Sequence, residues 1–163
     1  MMTCRERLID LLETHHVRYR LRAHPPTYTA QEEAGAEHLP GRRVAKVVIA
    51  LADGDTVMLV LAADRHVDFG AVARIVRHES ARLAREAEIE RLFPDCDVGA
   101  MPPFGHLYGL PVFLDEELAT EPSITFLAGT HEESVAIMTE DFERLERPIR
   151  SSFSAAHIGD RAA

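Results

Sequence analysis

The pattern of hydrophobic and polar positions predicts a buried β-hairpin in the first half of the chain. Residues 44–51 are apolar at every position except Lys46, and turn-forming Pro-Gly and Asp-Gly pairs flank the run. β-Branched and small side chains in so short a run favour a strand buried on both faces over a helix. A second apolar run at 56–63 follows the Asp53-Gly54 turn, so the two strands are expected to pair antiparallel.

Outside the hairpin, short helices alternate with strands. Helices are expected where a cap, such as the capping box Thr3-Cys-Arg-Glu6 or Thr139, precedes a 3.6-residue apolar period. Strands are expected where apolar and polar residues alternate. Strands joined by hairpins, with helices between them, indicate an α+β fold on a mixed, mostly antiparallel sheet. The predicted helices are about 4–14, 30–37, 69–77, 87–92 and 139–147, and the predicted strands are 17–22, 108–114, 123–128 and 134–138.

The composition is that of one globular domain. With 163 residues, 46% of them hydrophobic, the chain can bury a substantial core, and we assign the domain to residues 1–150. The segment 151–163 is expected to be a disordered tail. No apolar run is long enough to span a membrane, and the N-terminus lacks the apolar core of a signal peptide, so a cytoplasmic location is expected. Cys4 and Cys96 match no metal-site or disulfide spacing, which indicates reduced thiols.

Net charge limits the classes of partner. A formal charge of −9 argues against a general nucleic-acid or DNA-binding protein, because phosphate contacts require clustered cations. The charge is nevertheless uneven, since segment 65–85 is rich in arginine and segment 115–146 is strongly acidic. An acidic protein with one basic face, carried by residues 65–85, is therefore compatible with the sequence.

One cation stands out within the first buried strand. Lysine and arginine together number 18, and Lys46 is the single lysine among them. A two-residue period places Lys46 on the same face as Val44, Val48 and Ala50. A structural explanation is a side chain that reaches solvent from the strand end or pairs with a carboxylate. The functional explanation is an ammonium kept for its task, where the planar guanidinium of arginine would not substitute.

A second unusual segment is the loop Asp95-Cys-Asp-Val-Gly-Ala-Met-Pro-Pro-Phe-Gly. Two glycines and two prolines within seven residues fix a particular loop path and exclude both helix and ladder strand. Glycine at 99 would allow a substrate to approach the backbone closely, and the stiff prolines would hold N–H donors in place. A purely structural loop is the alternative.

Three features form one pattern: the helix opened by Thr29-Ala-Gln-Glu-Glu, Lys46 in Gly41-Arg-Arg-Val-Ala-Lys-Val-Val, and the Gly-x-x-x-Pro sequence at Gly99–Pro103. This pattern resembles the stand-alone relatives of the prolyl-tRNA synthetase editing domain, the YbaK-like aminoacyl-tRNA deacylases. The resemblance extends from about Leu8 to Leu145. It implies a barrel-like sheet flanked by short helices and a trans-acting hydrolase that cleaves the ester of mischarged tRNA in translation quality control.

The resemblance also assigns the site. Ester hydrolysis needs a positioned water and donors for the developing oxyanion, and no protein nucleophile. Lys46 would place a positive charge beside the terminal phosphate or the ester oxygens, or act as a base if its pKa were depressed. The histidine of the synthetase-borne versions falls on His131. The expected catalytic residues are Lys46, Gly99 and Ala100, and the expected substrate-binding residues are Pro102, Pro103, Phe104, His131, His24 and Tyr28.

Several alternatives stay open. Phe104 and Tyr28 could stack on the terminal base or belong to the core, and His24 could line the adenosine pocket or be a linker residue. The histidines and cysteines have no zinc-site spacing, so neither a metal nor another cofactor is expected. The main alternative function is a non-catalytic module that holds a tRNA 3′ end or contacts a synthetase or other translation protein. A third is a pocket for a small acylated metabolite. No membrane partner is expected.

Overall fold

The computed structural model describes residues 2–27 and 30–156, in which short helices alternate with strands. The capping box predicted at Thr3 is present, with Glu6 as its partner. The helices are α1 (Cys4–Thr14), α2 (Ala30–Glu37), α3 (Phe69–Val76), α4 (Glu86–Leu92), α5 (Glu116–Ala119) and α6 (Thr139–Glu146). The strands are β1 (Tyr19–Ala23), β2 (Ala45–Ala52), β3 (Asp55–Ala62), β4 (Arg65–Val67), β5 (Arg82–Leu83), β6 (Val112–Asp115), β7 (Ser123–Leu127), β8 (Glu133–Met138), β9 (Ile149–Ser151) and β10 (Ser154–Ala156).

The strands form three sheets. The largest has the order β5-β2-β3-β6-β9, the second is β1-β8-β7, and β10 pairs with β4 alone. The β2–β3 hairpin is antiparallel over its whole length, as predicted, and only the β3–β6 and β6–β9 pairs among these strands are parallel. The α+β fold with a mixed, mostly antiparallel sheet is thus confirmed. The sheets do not close on themselves, so "barrel-like" describes them only loosely.

The hairpin is buried on both faces, as its uninterrupted apolar sequence predicts. Ile49 and Met58 belong to the main core, whereas Ala50 and Leu59 belong to a second cluster that α3 covers. A parallel bridge between Val44 and Thr125 connects the start of β2 to the three-stranded sheet. This bridge brings the two larger sheets together near Lys46.

The C-terminal segment corrects one expectation. Residues 151–156 are ordered, since β9 and β10 pair with β6 and β4 and the Phe153 side chain is buried. The buried carboxylate of Asp115 holds this segment by accepting hydrogen bonds from the Phe153 N–H at 3.0 Å and the Ser154 hydroxyl at 2.6 Å. The disordered tail predicted for 151–163 is therefore wrong as far as residue 156, and the remainder lies outside the described residues.

Three smaller expectations also change. Thr139 does not cap α6, because Met138 is the N-cap and the Thr139 hydroxyl donates to the Glu121 carbonyl at 2.6 Å. The strand predicted at 108–114 begins at Val112, after a 3₁₀ turn over Gly105–Tyr108. The strands β4 and β5 were not predicted, since two or three residues are too few to show a period.

The expectation of two reduced thiols is also wrong for this structure. Cys4 and Cys96 form a disulfide with Cα atoms 5.1 Å apart. It joins the first turn of α1 to the loop that precedes Gly99. A spacing of 92 residues gave no signal in the sequence, because only the fold brings the two cysteines together.

Candidate active site

Backbone hydrogen bonds join the Gly99 loop to the turn between β7 and β8. The Asp97 N–H donates to the Gly129 carbonyl at 2.9 Å, and the Gly129 N–H donates to the Ala100 carbonyl at 2.9 Å. Gly129 has φ +93°, and a Cβ there would lie 2.9 Å from the Cys4 sulfur, so this turn has room only for glycine. These bonds hold Gly99 and His131 in one rigid assembly.

His131 lies between this loop and the segment that leads into α2. Its Nδ1 is 2.6 Å from the Thr27 carbonyl oxygen, and its Nε2 is 2.9 Å from the Val98 carbonyl oxygen. The Thr27 N–H also donates to the His131 carbonyl at 3.0 Å. Both ring nitrogens therefore face backbone carbonyl oxygens, which only accept hydrogen bonds. With both nitrogens facing the backbone, His131 is suited to positioning the loop rather than to removing a proton from substrate.

The two candidate amides of the loop are not equivalent. The Ala100 N–H donates to the Asp97 carbonyl at 3.0 Å, and the Ala100 side chain is fully buried. That amide is therefore used inside the loop, which argues against it as an oxyanion donor. Gly99 is exposed, has φ +86° and stands next to the His131 ring. The exposed backbone of the loop is thus at Gly99.

The residues that follow Ala100 support the loop from beneath. Pro102 and Pro103 are buried. Phe104 is completely buried, with its ring centroid 5.8 Å from that of Phe126 and 5.4 Å from that of Phe142. No face of the Phe104 ring is open to a nucleobase, so the stacking role considered for it is wrong and its core alternative is correct. Direct substrate contact by the two prolines would require the loop to open.

His24 directly follows β1 and is held beside the first residues of β8. Its Nε2 lies 2.6 Å from the Ser134 hydroxyl, and its Nδ1 lies 2.8 Å from the Pro25 carbonyl oxygen. The backbone N–H of His24 donates to the Glu132 carbonyl. His24 is half-buried and three residues from Thr27, so it stands at the border of the same assembly. Tyr28, the remaining predicted binding residue, lies outside the described residues.

Lys46 occupies the face of β2 that the sequence predicted. It is half-buried and shares its face with Val48 and Ala50, which belong to the second cluster. Burial lowers the pKa of the Lys46 ammonium, and the carboxylate of Asp64 opposes part of that shift. The buried residues of the Gly99 loop, Met101 and Phe104, belong to the main core with the other face of β2. The structure thus joins Gly99 to His131 directly, whereas Lys46 lies on the face of β2 opposite to the one that packs with the buried residues of the loop.

Sequence reasoning missed the contacts between the loops. Thr27, Gly129 and Ser134 were not identified as parts of the site, although they hold His131, the Gly99 loop and His24. Gly129 offered the one available signal, since Ala-Gly-Thr-His between two strands is a turn sequence.

Substituting Gly99 with alanine is expected to damage the site more than the fold. The new Cβ would be 3.5 Å from His131 Cε1, an ordinary contact, so the cost in stability comes from the positive φ and is about 1–2 kcal/mol. Because the methyl group would stand where a substrate approaches the backbone, kcat/KM is expected to fall about 10-fold or more. Gly109→Ala is the matched control, since Gly109 has φ +72° and open space around it. Equal losses of kcat/KM in the two variants would contradict a role for Gly99 in the site.

The helices of the described residues are short. Among the described helices, α1 is the longest at 11 residues, and none of them is long and apolar enough to cross a membrane.

Among known proteins, this chain is similar to the multifunctional Ser/Thr-tRNA deacylase ProXp-y of Escherichia coli strain K12. The two are 28% identical over 148 residues, with 88% of each chain covered.

Two crystal structures share the fold. One is a hypothetical protein with a TM-score of 0.84 and 18% identity, covering 92% of this chain and 100% of the other. The second, a proposed trans-editing enzyme for prolyl-tRNA synthetase, has a TM-score of 0.81 and 22% identity, covering 96% and 99%. A family model described as the aminoacyl-tRNA editing domain matches residues 24–145, most of the chain. The chain belongs to the aminoacyl-tRNA editing domain family.

Proposed function

We propose that this protein is a trans-acting aminoacyl-tRNA deacylase that hydrolyses the ester of mischarged tRNA. The observation that carries this proposal is the exposed backbone of Gly99, held against His131 by the bonds between its loop and the β7–β8 turn. A rigid, exposed backbone donor is what oxyanion stabilisation requires, because the donor then needs no reorganisation during the reaction.

In the proposed reaction, water attacks the carbonyl carbon of the aminoacyl ester while the Gly99 N–H stabilises the negative charge on the carbonyl oxygen. The bond between that carbon and the ribose oxygen then breaks, releasing the amino acid and the tRNA hydroxyl. Lys46 supplies a positive charge for the terminal phosphate or the ester oxygens, and its ammonium is partly desolvated, which strengthens that interaction. His131 positions the loop through Thr27 and Val98.

The partner in this reaction is the acceptor 3′ end of an aminoacyl-tRNA, which the enzyme would meet in the cytoplasm, alone or beside a synthetase. The relative named a Ser/Thr-tRNA deacylase makes seryl- and threonyl-tRNA the first substrates to test. Alanyl-, cysteinyl- and prolyl-tRNA complete an informative panel, since they differ from these in size and in the hydroxyl group.

The experiment is deacylation of this panel by the purified protein, followed as loss of labelled amino acid from tRNA. We expect at least one substrate to lose its amino acid faster with enzyme than in buffer, and Gly99→Ala to slow that loss. Retention of aminoacyl-tRNA on a filter, with no accelerated hydrolysis of any member, would overturn the proposal in favour of a binding module. Equal hydrolysis of small aminoacyl esters at all salt concentrations, with no preference for tRNA, would indicate a metabolite esterase instead.

A further inference from the structure

A groove runs along the outer face of the β1-β8-β7 sheet. Two adjoining cavities of about 160 and 490 Å³ share Arg20, Ser123 and Ala136 as lining residues, so together they form one continuous depression. Arg18 lines one end, and Arg22 and Arg43 line the other. The inner face of the same sheet packs on the main core through Ile124, Phe126 and Val135 among others.

Arginines form one wall of this groove because β1 alternates. Its basic residues recur at every second position, at 18, 20 and 22, and therefore project on the same side. Arg20 lies opposite Ala136 and Arg22 opposite Ser134 in the antiparallel register. The floor is made of small side chains, Ser123, Thr125, Ser134 and Ala136, over which a ligand backbone can approach closely.

The groove is basic on an acidic protein. The residues that line the two cavities include four arginines and no carboxylate. Part of the charge is neutralised by Glu121, whose Oε1 lies 3.0 Å from Arg42 Nε and 3.9 Å from Arg43 Nε. Arg42 lies closer to that carboxylate than Arg43 does. On the β1 side of the groove, Arg18 and Arg20 are both exposed and supply two further positive charges.

The 65–85 segment, which the sequence marked as a basic face, is different. There Arg82 pairs with Glu88 at 2.9 Å, and His78 lies 2.7 Å from Asp55 and 3.4 Å from Asp53. Arg65 donates to the Ser154 hydroxyl at 2.7 Å. Much of the charge in that segment is used inside the protein, so the β1 groove is the better site for an anionic ligand.

We propose that this groove binds the sugar–phosphate backbone of the tRNA acceptor strand and directs its 3′ end to the Gly99 loop; this proposal rests on the proposed deacylase function. Guanidinium groups bind phosphate bidentately, and the hydroxyl of the half-buried Ser123 can donate to phosphate or ribose oxygens.

The groove also points to the site. At its Ser134 end, the Ser134 hydroxyl is 2.6 Å from His24 Nε2, and the His24 N–H bonds to Glu132. Three residues further, Thr27 is bonded to His131, which contacts Gly99. A strand lying in the groove would therefore deliver its end to the loop, whereas the floor has no large apolar pocket to anchor a protein side chain.

The test compares two variants of equal charge. Arg18→Gln/Arg20→Gln removes two cations from the groove, and Arg74→Gln/Arg91→Gln removes two exposed cations elsewhere. The measurements are the Kd for uncharged tRNA over a range of salt concentrations and the single-turnover deacylation rate at saturating enzyme. We expect the groove variant to raise Kd about 10-fold and to reduce the slope of log K against log salt by about 1.4, or roughly 0.7 for each lost contact. The Arg74→Gln/Arg91→Gln control should match wild type in Kd, salt slope and single-turnover rate.

Identical Kd values and salt slopes for the two variants would overturn the groove assignment and leave the deacylase proposal standing on wild-type activity. Absence of deacylation by wild type would instead count against the deacylase function, whatever the variants do. The groove variant is also tested for binding to a polyglutamate peptide. If it loses this binding while its tRNA binding is unchanged, the groove is a protein-binding surface and the proposal is overturned.

Discussion

Replacing Lys46 with alanine is expected to reduce kcat/KM for deacylation by about 100-fold or more. The substitution removes the chain's single ammonium from β2, where its charge is partly shielded from water and therefore interacts strongly with phosphate or ester oxygens. Removal of one preorganised electrostatic group from an acyl-transfer site typically costs 10²–10³ in rate. Activity is measured on the best substrate of the tRNA panel, and Arg74→Ala on α3 serves as an exposed-cation control.

The pH profile separates the two roles considered for this lysine. Burial lowers the Lys46 pKa, so the ammonium loses its proton at a lower pH than an ordinary lysine does. If the charged form acts, activity falls as pH rises through that lowered pKa. If the neutral amine acts as a base, activity rises over the same interval. The Lys46→Ala profile should lack whichever limb the wild type shows, and full activity of this variant would remove Lys46 from the mechanism.

The same burial makes a prediction about stability. Because the folded pKa lies below the unfolded value, protonation of Lys46 disfavours the folded state at neutral pH, and this penalty disappears as pH rises above the unfolded pKa. Lys46→Met keeps the apolar stem without the charge, so its free energy of unfolding should be equal to or slightly greater than that of wild type at pH 7. An inactive but stable Lys46→Met would show that the loss in activity does not come from misfolding.

Local sequence patterns sufficed for the elements that depend on near neighbours. The β2–β3 hairpin, the Thr3 capping box and the face of β2 that carries Lys46 all follow from residues that are near in sequence, the most distant being the hairpin pair Ala45 and Ala62. These features are set by the two-residue strand period, a two-residue turn and a side-chain cap, which any chain of this pattern would form.

The site itself depended on contacts that no local pattern contains. His131 holds Thr27, which lies 104 residues away, and Val98, which lies 33 residues away, through backbone oxygens whose positions are set by the whole fold. The ordered C-terminus has the same origin, because Asp115 is buried and can accept hydrogen bonds from Phe153 only after β6 and β9 have paired. The basic groove was not predicted, because the alternation at 17–22 was interpreted only as a strand and the basic face was assigned to residues 65–85. Pairing of the 65–85 charges could be recognised only in the structure.

Reduction of the Cys4–Cys96 disulfide is expected to lower the free energy of unfolding by about 3–4 kcal/mol. The cross-link joins residues 92 positions apart, and closing a loop of that length restricts the unfolded chain strongly, with an upper bound of roughly 4.6 kcal/mol. In the folded state, hydrogen bonds that do not involve the disulfide also connect these segments. Arg7 Nη1 donates to Asp95 Oδ2 at 3.0 Å, and the Tyr108 hydroxyl donates to Asp95 at 3.1 Å.

The measurement is chemical denaturation with and without reductant, with Cys96→Ser as the matched control. The wild-type midpoint should fall on reduction to near that of Cys96→Ser, whose own midpoint should not respond to reductant. Deacylation well below the unfolding transition should change only a few-fold, because the bonds that hold the Gly99 loop run from Asp97 and Ala100 to Gly129 and do not involve sulfur. The prediction would be contradicted by a wild-type midpoint that is insensitive to reductant, together with two titratable thiols in the protein as isolated. That result would show that the two cysteines stay unbonded.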